Sequence, residues 1–122
     1  MTTSLIPGGD HDARFGRIHR FLSACAGHPL GVDEAVFRSE HETGDRNRAL
    51  AFLARSTGVL GADVEVATSV YFRQCAILVT ARDLAVMAGT LANNGVNPVS
   101  GETVMHEDVA RATLAVMAMC GM

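Results

Sequence analysis

The segment from Arg38 to Ala51 holds the side chains whose types and spacing are best suited to bind a ligand. Glu40 and Asn47 are seven residues apart, which is two turns of a helix to within about 20°. A carboxylate can neutralise an ammonium group, and an amide can both donate to and accept from a carboxylate or a carbonyl. The pair therefore suits the α-amino-acid end of a small ligand. A solvated, charged turn is the simpler alternative, and the spacing alone does not separate the two.

The absence of lysine restricts the chemistry that this chain can perform alone. All ten basic side chains are arginine, which excludes a Schiff-base lysine, a phosphate-loop lysine and a serine–lysine pair supplied by this chain. The five histidines and three cysteines show neither a Cys-x-x-Cys pair nor the ligand spacing typical of zinc. His41 and Glu42 begin like a zinc-protease helix, but Asp45 stands where the second histidine must be. We therefore expect neither a metal nor another cofactor.

The composition indicates one small domain over residues 1–122. Apolar residues make up 48% of the chain and charged residues 19%, so a sizeable core can form. The net charge of −3 favours neither nucleic acid nor an acidic membrane surface as a partner. The longest uncharged stretch, Leu84–Gly101, contains three asparagines and a proline and cannot span a membrane. Cys25, Cys75 and Cys120 are odd in number and far apart, which favours a reducing, cytoplasmic location.

Hydrophobic periodicity predicts an all-α fold, a compact bundle of five or six short helices. Apolar side chains recur at three- and four-residue steps in most of these segments. Residues that cap helices mark where the helices begin, namely Asp10 or Asp12, Asp33, Asp45, Asp63, Thr80 and His106. Residues 1–9 are expected to be irregular and residues 95–103 to form a loop or small hairpin. Ile77–Val79 fits a strand as well as a helix.

The last predicted helix, from Met105 to Met119, is rich in methionine and alanine. Its apolar spacing is typical of a buried helix rather than of an adaptable binding face. We likewise expect Cys75 and Cys120 to be small buried hydrophobic side chains rather than nucleophiles.

The chain finishes directly at a helix end, Gly121–Met122, and begins in a loop. We therefore expect that it was cut from a larger protein.

The segment that contains Glu40 and Asn47 resembles a known family signature. Ser39-Glu40 and Gly44-Asp45-Arg46-Asn47-Arg48-Ala49-Leu50-Ala51 are similar to the central motif of the serine-dependent glutaminases, the bacterial and kidney/liver-type family. The family's tyrosine-bearing helix resembles Val70–Ile77, and its next helix and turn resemble Thr80–Met87 and Leu91–Pro98. Thr2–Leu5 resembles the residues after the family's Asn-Ala-Gly-Ala segment, and Met119–Met122 resembles the residues before another of its functional tyrosines. The motifs occur in the family's order and cover nearly the whole chain.

The resemblance implies that the parent protein hydrolyses L-glutamine to L-glutamate and ammonia through a seryl acyl-enzyme. It implies that Glu40 binds the substrate ammonium, that Asn47 binds the carboxylate end, and that Tyr71 lies beside the nucleophile as a positioning group or proton relay. The family's nucleophile lies in a Ser-x-x-Lys motif, which this chain lacks. The chain therefore corresponds to the helical domain that is inserted into a serine β-lactamase-like α/β sandwich, and by itself it is expected to be inactive. The implied partners are L-glutamine, the rest of the polypeptide and further copies in a homo-oligomer.

Two residues depart from the family pattern. Ala76 replaces a usual serine, and Asn94 stands where the family usually has glycine; neither is expected in the pocket.

Two other functions stay open at this point. The chain can be a stand-alone helical interaction or dimerisation module without catalysis, or part of a different serine amidase or penicillin-recognising relative.

Overall fold

The computed structural model describes residues 2–61 and 63–121, in which there are six α-helices and one pair of two-residue strands. The helices are α1 (His11–Ala26), α2 (Glu34–Thr43), α3 (Asp45–Ser56), α4 (Val64–Cys75), α5 (Ala81–Ala92) and α6 (Glu107–Cys120). The strands β1 (Gly31–Val32) and β2 (Ile77–Leu78) pair antiparallel, with Gly31 opposite Leu78 and Val32 opposite Ile77. The prediction of an all-α fold with five or six short helices is therefore confirmed. The predictions of an irregular start and of a helix end at Gly121–Met122 include Met1 and Met122, and these two residues lie outside the described residues.

Most of the predicted capping residues begin their helices with a side-chain hydrogen bond, but Asp45 does not, because it is the first residue of α3 and the cap position is Gly44. The Asp10 carboxylate accepts the Ala13 amide at 2.8 Å, and Asp33 and Asp63 each accept two backbone amides from the first turn of their helices. Thr80 and Asp83 form the reciprocal capping box at the start of α5. These side chains satisfy amides that the first helical turn leaves without a partner.

The irregular start predicted for residues 1–9 is wrong in part, because Thr2–Leu5 form a 3-10 helix. Thr3 is buried, and its hydroxyl donates a hydrogen bond of 3.2 Å to the side-chain oxygen of Gln74 on α4. A contact between residues so far apart in the chain cannot be predicted from local propensity.

Contacts divide the chain into two compact units. The first unit combines the chain up to His19 with Gly31–Leu78, and its core includes Val64, Val70 and Phe72 of α4. Gly44 separates α2 from α3 directly above the Phe72 ring, where a Cβ atom would collide with that ring. The glycine therefore allows both helices to approach α4 closely.

The second unit combines Arg20–Leu30 with the chain from Val79 onward. The buried amide of Asn97 donates to the carbonyl oxygens of Ala24 and Cys25, both at 2.9 Å, and thereby satisfies the carbonyl end of α1. Asn94 has a left-handed backbone, with φ of 53°. Glycine adopts this conformation freely and asparagine tolerates it, which accounts for asparagine at this position.

α6 is much more exposed than the sequence predicts. Among its residues, all of them described, only Ala110 is buried, while Val116 is 57% exposed and Met119 is 88% exposed. The thiols of Cys75 and Cys120 are exposed as well, and only Cys25 is a buried free cysteine in the described part. The predictions of a buried last helix and of two buried cysteines are therefore wrong. Periodicity shows which residues share a face but not whether another element covers that face.

An ion pair between His28 and Asp83 joins two segments of the second unit. His28 Nε2 lies 2.8 Å from the Asp83 carboxylate, and His28 Nδ1 lies 2.9 Å from the Pro29 carbonyl oxygen. Both ring nitrogens thus face acceptors, which favours the doubly protonated ring. The hydrogen bond to Asp83 raises the pKa of His28 above its usual 6.5, and the bond from His28 is the main reason that the pKa of Asp83 falls to about 2.

This pair predicts how stability depends on pH. Because the pKa of His28 is raised by folding, its contribution is complete below pH 6.5 and disappears as pH rises through the raised pKa. We expect the thermal unfolding midpoint to fall over that range, and His28→Gln to remove this fall. His106→Asn, which keeps a capping acceptor on the exposed start of α6, is the control and should retain it. A His28→Gln protein with the wild-type pH profile would contradict the assignment.

Candidate functional site

The three residues predicted to bind substrate lie on three consecutive helices of the first unit. Glu40 is in the second half of α2 and is exposed, and Asn47 is in the first turn of α3 and is partly buried. Tyr71 is on the second half of α4 and is 39% exposed. The break at Gly44 means that Glu40 and Asn47 belong to two helices rather than to two turns of one.

Asn47 and Tyr71 line the same cavity, which has a volume of about 640 Å³. This is within the range of roughly 300–1,000 Å³ that is typical of small-molecule sites. Glu40 is not among the residues that line it. The wall is built by the 3-10 helix, α3, the segment after α3, and α4, through Thr3, Ser4, Asn47, Leu50, Ala51, Leu53, Ala54, Thr57, Val59, Leu60, Ala67, Thr68 and Tyr71.

The threonine hydroxyls of this wall donate to other protein groups. Thr3 donates to Gln74, and the hydroxyls of Thr57 and Thr68 donate to carbonyl oxygens of the preceding helical turn. By contrast, the Asn47 amide makes no hydrogen bond to any described residue. It is therefore free to donate to and accept from a ligand in the cavity.

The Tyr71 phenol is held in its neutral form. Interaction with the Cys75 side chain, four residues along the same helix, is the main reason that the pKa of Tyr71 is raised above its usual value of 10, and burial and the Glu40 carboxylate contribute further. Each negative charge near the ring disfavours the phenolate. Tyrosine is protonated near neutral pH even at its usual pKa, and the raised pKa keeps Tyr71 neutral at higher pH as well. The negative charge of the Glu40 carboxylate thus acts on Tyr71, which lines the cavity, although Glu40 itself does not line it.

The residues that suggested a metal motif have other contacts. The His41 ring packs edge-on against Phe37 and Phe72, with centroid separations of 5.9 and 6.2 Å. The Asp45 carboxylate lies 3.7 Å from the Arg48 guanidinium. Within residues 2–61 and 63–121, no three histidine, cysteine or acidic side chains are grouped closely enough to hold a metal ion.

No helix in residues 2–61 and 63–121 is both long enough and apolar enough to cross a membrane.

Sequence reasoning missed two features of the site. Thr3 and Ser4 line the cavity, although the only sequence signal for them was the resemblance of the opening segment to a family motif. Cys75 acts on Tyr71, and here the four-residue spacing on one helix was a signal that was available.

Comparisons with known proteins agree along the whole chain. A family model described as Glutaminase matches residues 1–122. "Glutaminase 2" of Bradyrhizobium diazoefficiens is 55% identical over 120 residues, which cover 98% of this chain and 19% of that protein. "Glutaminase" of Nostoc sp. is 46% identical over 121 residues, which cover 99% of this chain and 36% of that protein. The chain thus spans well under half the length of these relatives.

Solved structures show the same similarity. A Bacillus glutaminase crystallised with 4.3 M NaCl superposes with a TM-score of 0.92 at 38% identity, over 98% of this chain and 40% of that one. A Bacillus subtilis glutaminase in covalent complex with 5-oxo-L-norleucine superposes with a TM-score of 0.88 at 37% identity, over 98% of this chain and 41% of that one.

The ionisation of Tyr71 can be measured directly, because Tyr71 is the only tyrosine and the chain has no tryptophan. We expect a pH titration of phenolate absorbance in the near ultraviolet to give a lower pKa for Cys75→Ala than for wild type. Glu40→Gln should lower it less, because Glu40 makes the smallest contribution to the raised pKa. Cys120→Ala is the matched cysteine control. Equal midpoints for wild type and Cys75→Ala would contradict the interaction.

Proposed function

The chain belongs to the glutaminase family, and from this premise we propose that it forms the substrate-binding helical part of an enzyme that hydrolyses L-glutamine to L-glutamate and ammonia. The observation that carries the proposal is that Asn47 and Tyr71 line one cavity of small-molecule size. Both are residues that the family resemblance assigns to the glutamine site. The covalent complex of the Bacillus subtilis relative also supports an amino-acid ligand, because its norleucine group has the backbone of an α-amino acid.

Each of the three side chains has a distinct proposed role. Glu40 neutralises the substrate ammonium, and its carboxylate charge already acts on Tyr71 at the cavity. The amide of Asn47, without a partner in the described protein, binds the substrate carboxylate. The neutral Tyr71 phenol donates a hydrogen bond beside the reacting amide. A charged pair and two oriented hydrogen bonds would together fix a free amino acid in one orientation.

The covalent chemistry is proposed to come from outside these 122 residues. A serine attacks the side-chain amide carbon of glutamine, the leaving nitrogen takes up the proton lost by the serine and departs as ammonia, and water then hydrolyses the acyl-enzyme to glutamate and the free serine. Serine attack needs a base and an oxyanion site, and the family's Ser-x-x-Lys pair is missing from a chain without lysine. Tyr71 is proposed to position the substrate or to relay the proton to the leaving ammonia. The 122-residue chain alone is therefore expected to be inactive.

The partners and the location follow from the same proposal. The exposed apolar side chains of α6, including Val109, Val116 and Met119, are proposed to pack against the rest of the glutaminase polypeptide or against another copy in a homo-oligomer. The three free cysteines support a reducing, cytoplasmic location. We propose a single helical domain for residues 1–122, inserted into the β-lactamase-like sandwich of the parent enzyme.

Two substitutions in the full-length polypeptide that carries this chain test the site. Glu40→Gln removes the proposed countercharge, and Tyr71→Phe removes the donor hydroxyl. Loss of a charge-assisted hydrogen bond costs roughly 2–4 kcal/mol, so we expect kcat/KM for L-glutamine to fall about 30- to 1,000-fold.

Glu42→Gln is the matched control, because Glu42 is an exposed glutamate on the same helix and, unlike Glu40, is not among the groups that raise the pKa of Tyr71. Unchanged kcat/KM in both site variants would refute the site. A wild-type enzyme that turns over β-lactams but not glutamine would refute the proposed function instead.

A further inference from the structure

Arg48 connects the three helices that carry the proposed site. Its Nη2 donates a 2.6 Å hydrogen bond to the carbonyl oxygen of His41 near the end of α2. Its Nε lies 3.5 Å from the Glu65 carboxylate on α4, and its Nη1 lies 3.7 Å from Asp45 on its own helix. The guanidinium carbon lies 5.4 Å from the centroid of the Phe72 ring. With these contacts the Arg48 side chain is only 18% exposed.

Two of the contacts of Arg48, those to His41 and Phe72, are made to chain neighbours of the proposed site residues. Arg48 itself follows Asn47, His41 follows Glu40, and Phe72 follows Tyr71. Consecutive Cα atoms are held about 3.8 Å apart by the peptide bond. A side chain that holds His41 and Phe72 therefore also restricts where Glu40 and Tyr71 can be.

The chemistry of these contacts requires arginine. The guanidinium is a planar fork that can donate in several directions while it packs against an aromatic ring, whereas a lysine ammonium is a compact point charge. The carbonyl groups at the end of a helix lack partners within the helix and attract a cation. Phe72 is fully buried, so the surface against which the guanidinium packs is fixed.

Arg48 does not line the cavity, and its guanidinium is engaged with His41, Glu65 and the Phe72 ring. We propose that Arg48 is a positioning residue, which sets Glu40, Asn47 and Tyr71 in the relative arrangement that binds glutamine. The proposal rests on the proposed function. Arg46 offers an internal comparison, since it is on the same helix, is exposed, and makes no ion pair within the described residues.

The kinetic test uses Arg48→Met, Arg48→Lys and the control Arg46→Met in the full-length glutaminase, at a temperature where all three are folded. Arg48→Met should raise KM for L-glutamine and lower kcat/KM about 10- to 100-fold, because misplaced binding groups lose their alignment. Arg48→Lys should restore only part of the loss, and Arg46→Met should stay within about two-fold of wild type. Kinetics for Arg48→Met equal to those of Arg46→Met would overturn the proposal.

A second measurement uses the 122-residue chain, in which the near-ultraviolet circular dichroism of tyrosine reports Tyr71 alone. Arg48→Met should change this signal while leaving the far-ultraviolet helix signal in place, and Arg46→Met should change neither. An unchanged tyrosine signal for Arg48→Met would contradict positioning even if the full-length wild type proved inactive on glutamine. Such inactivity would refute the proposed function, and the spectroscopic result would still decide the role of Arg48.

Discussion

The arrangement of the first unit depends on the burial of Phe72 beneath Gly44. The Phe72 side chain is fully buried, and its ring occupies the space that any side chain at position 44 would need. Because α2 and α3 meet at this glycine, both helices can approach α4 at one point. The Phe72 ring also packs against the Arg48 guanidinium and against the His41 ring. One buried ring thus anchors three helices, and its chain neighbour Tyr71 is directed to the cavity wall.

The cavity combines an apolar wall with few uncommitted polar groups. Leucine, alanine and valine side chains supply more than half of its lining residues, and the threonine hydroxyls donate within the protein. A polar ligand in such a site is oriented by the groups that remain, chiefly the Asn47 amide and the Tyr71 phenol. The Tyr71 phenol carries its proton at neutral pH, as a tyrosine ordinarily does, and its raised pKa keeps it neutral to higher pH still. An apolar wall with a few polar groups suits a free amino acid, which has a charged end and a short apolar stem.

Local rules predicted the parts of the fold that local interactions determine. The starts of α2, α4 and α5 follow from Asp33, Asp63 and the Thr80–Asp83 box, whose bonding partners lie within three residues. The exposure of α6 and the 3-10 helix at Thr2–Leu5 were missed, because both depend on the elements that lie next to them in space. For the site, the spacing of Glu40 and Asn47 suggested a ligand. Only the structure could show that Asn47 and Tyr71 share a cavity and that Glu40 acts from outside its wall, because that arrangement depends on how α2 and α3 pack on α4. The roles of the three residues stay predictions.

The most direct measurement is a crystal structure of the full-length polypeptide with L-glutamate, the proposed product, bound. The account predicts that the ligand ammonium lies within about 3.2 Å of the Glu40 carboxylate, its α-carboxylate within the same distance of the Asn47 amide, and the Tyr71 hydroxyl beside the side-chain carboxylate. A glutamate bound with none of these three contacts, or bound at a site away from the cavity, would contradict the account.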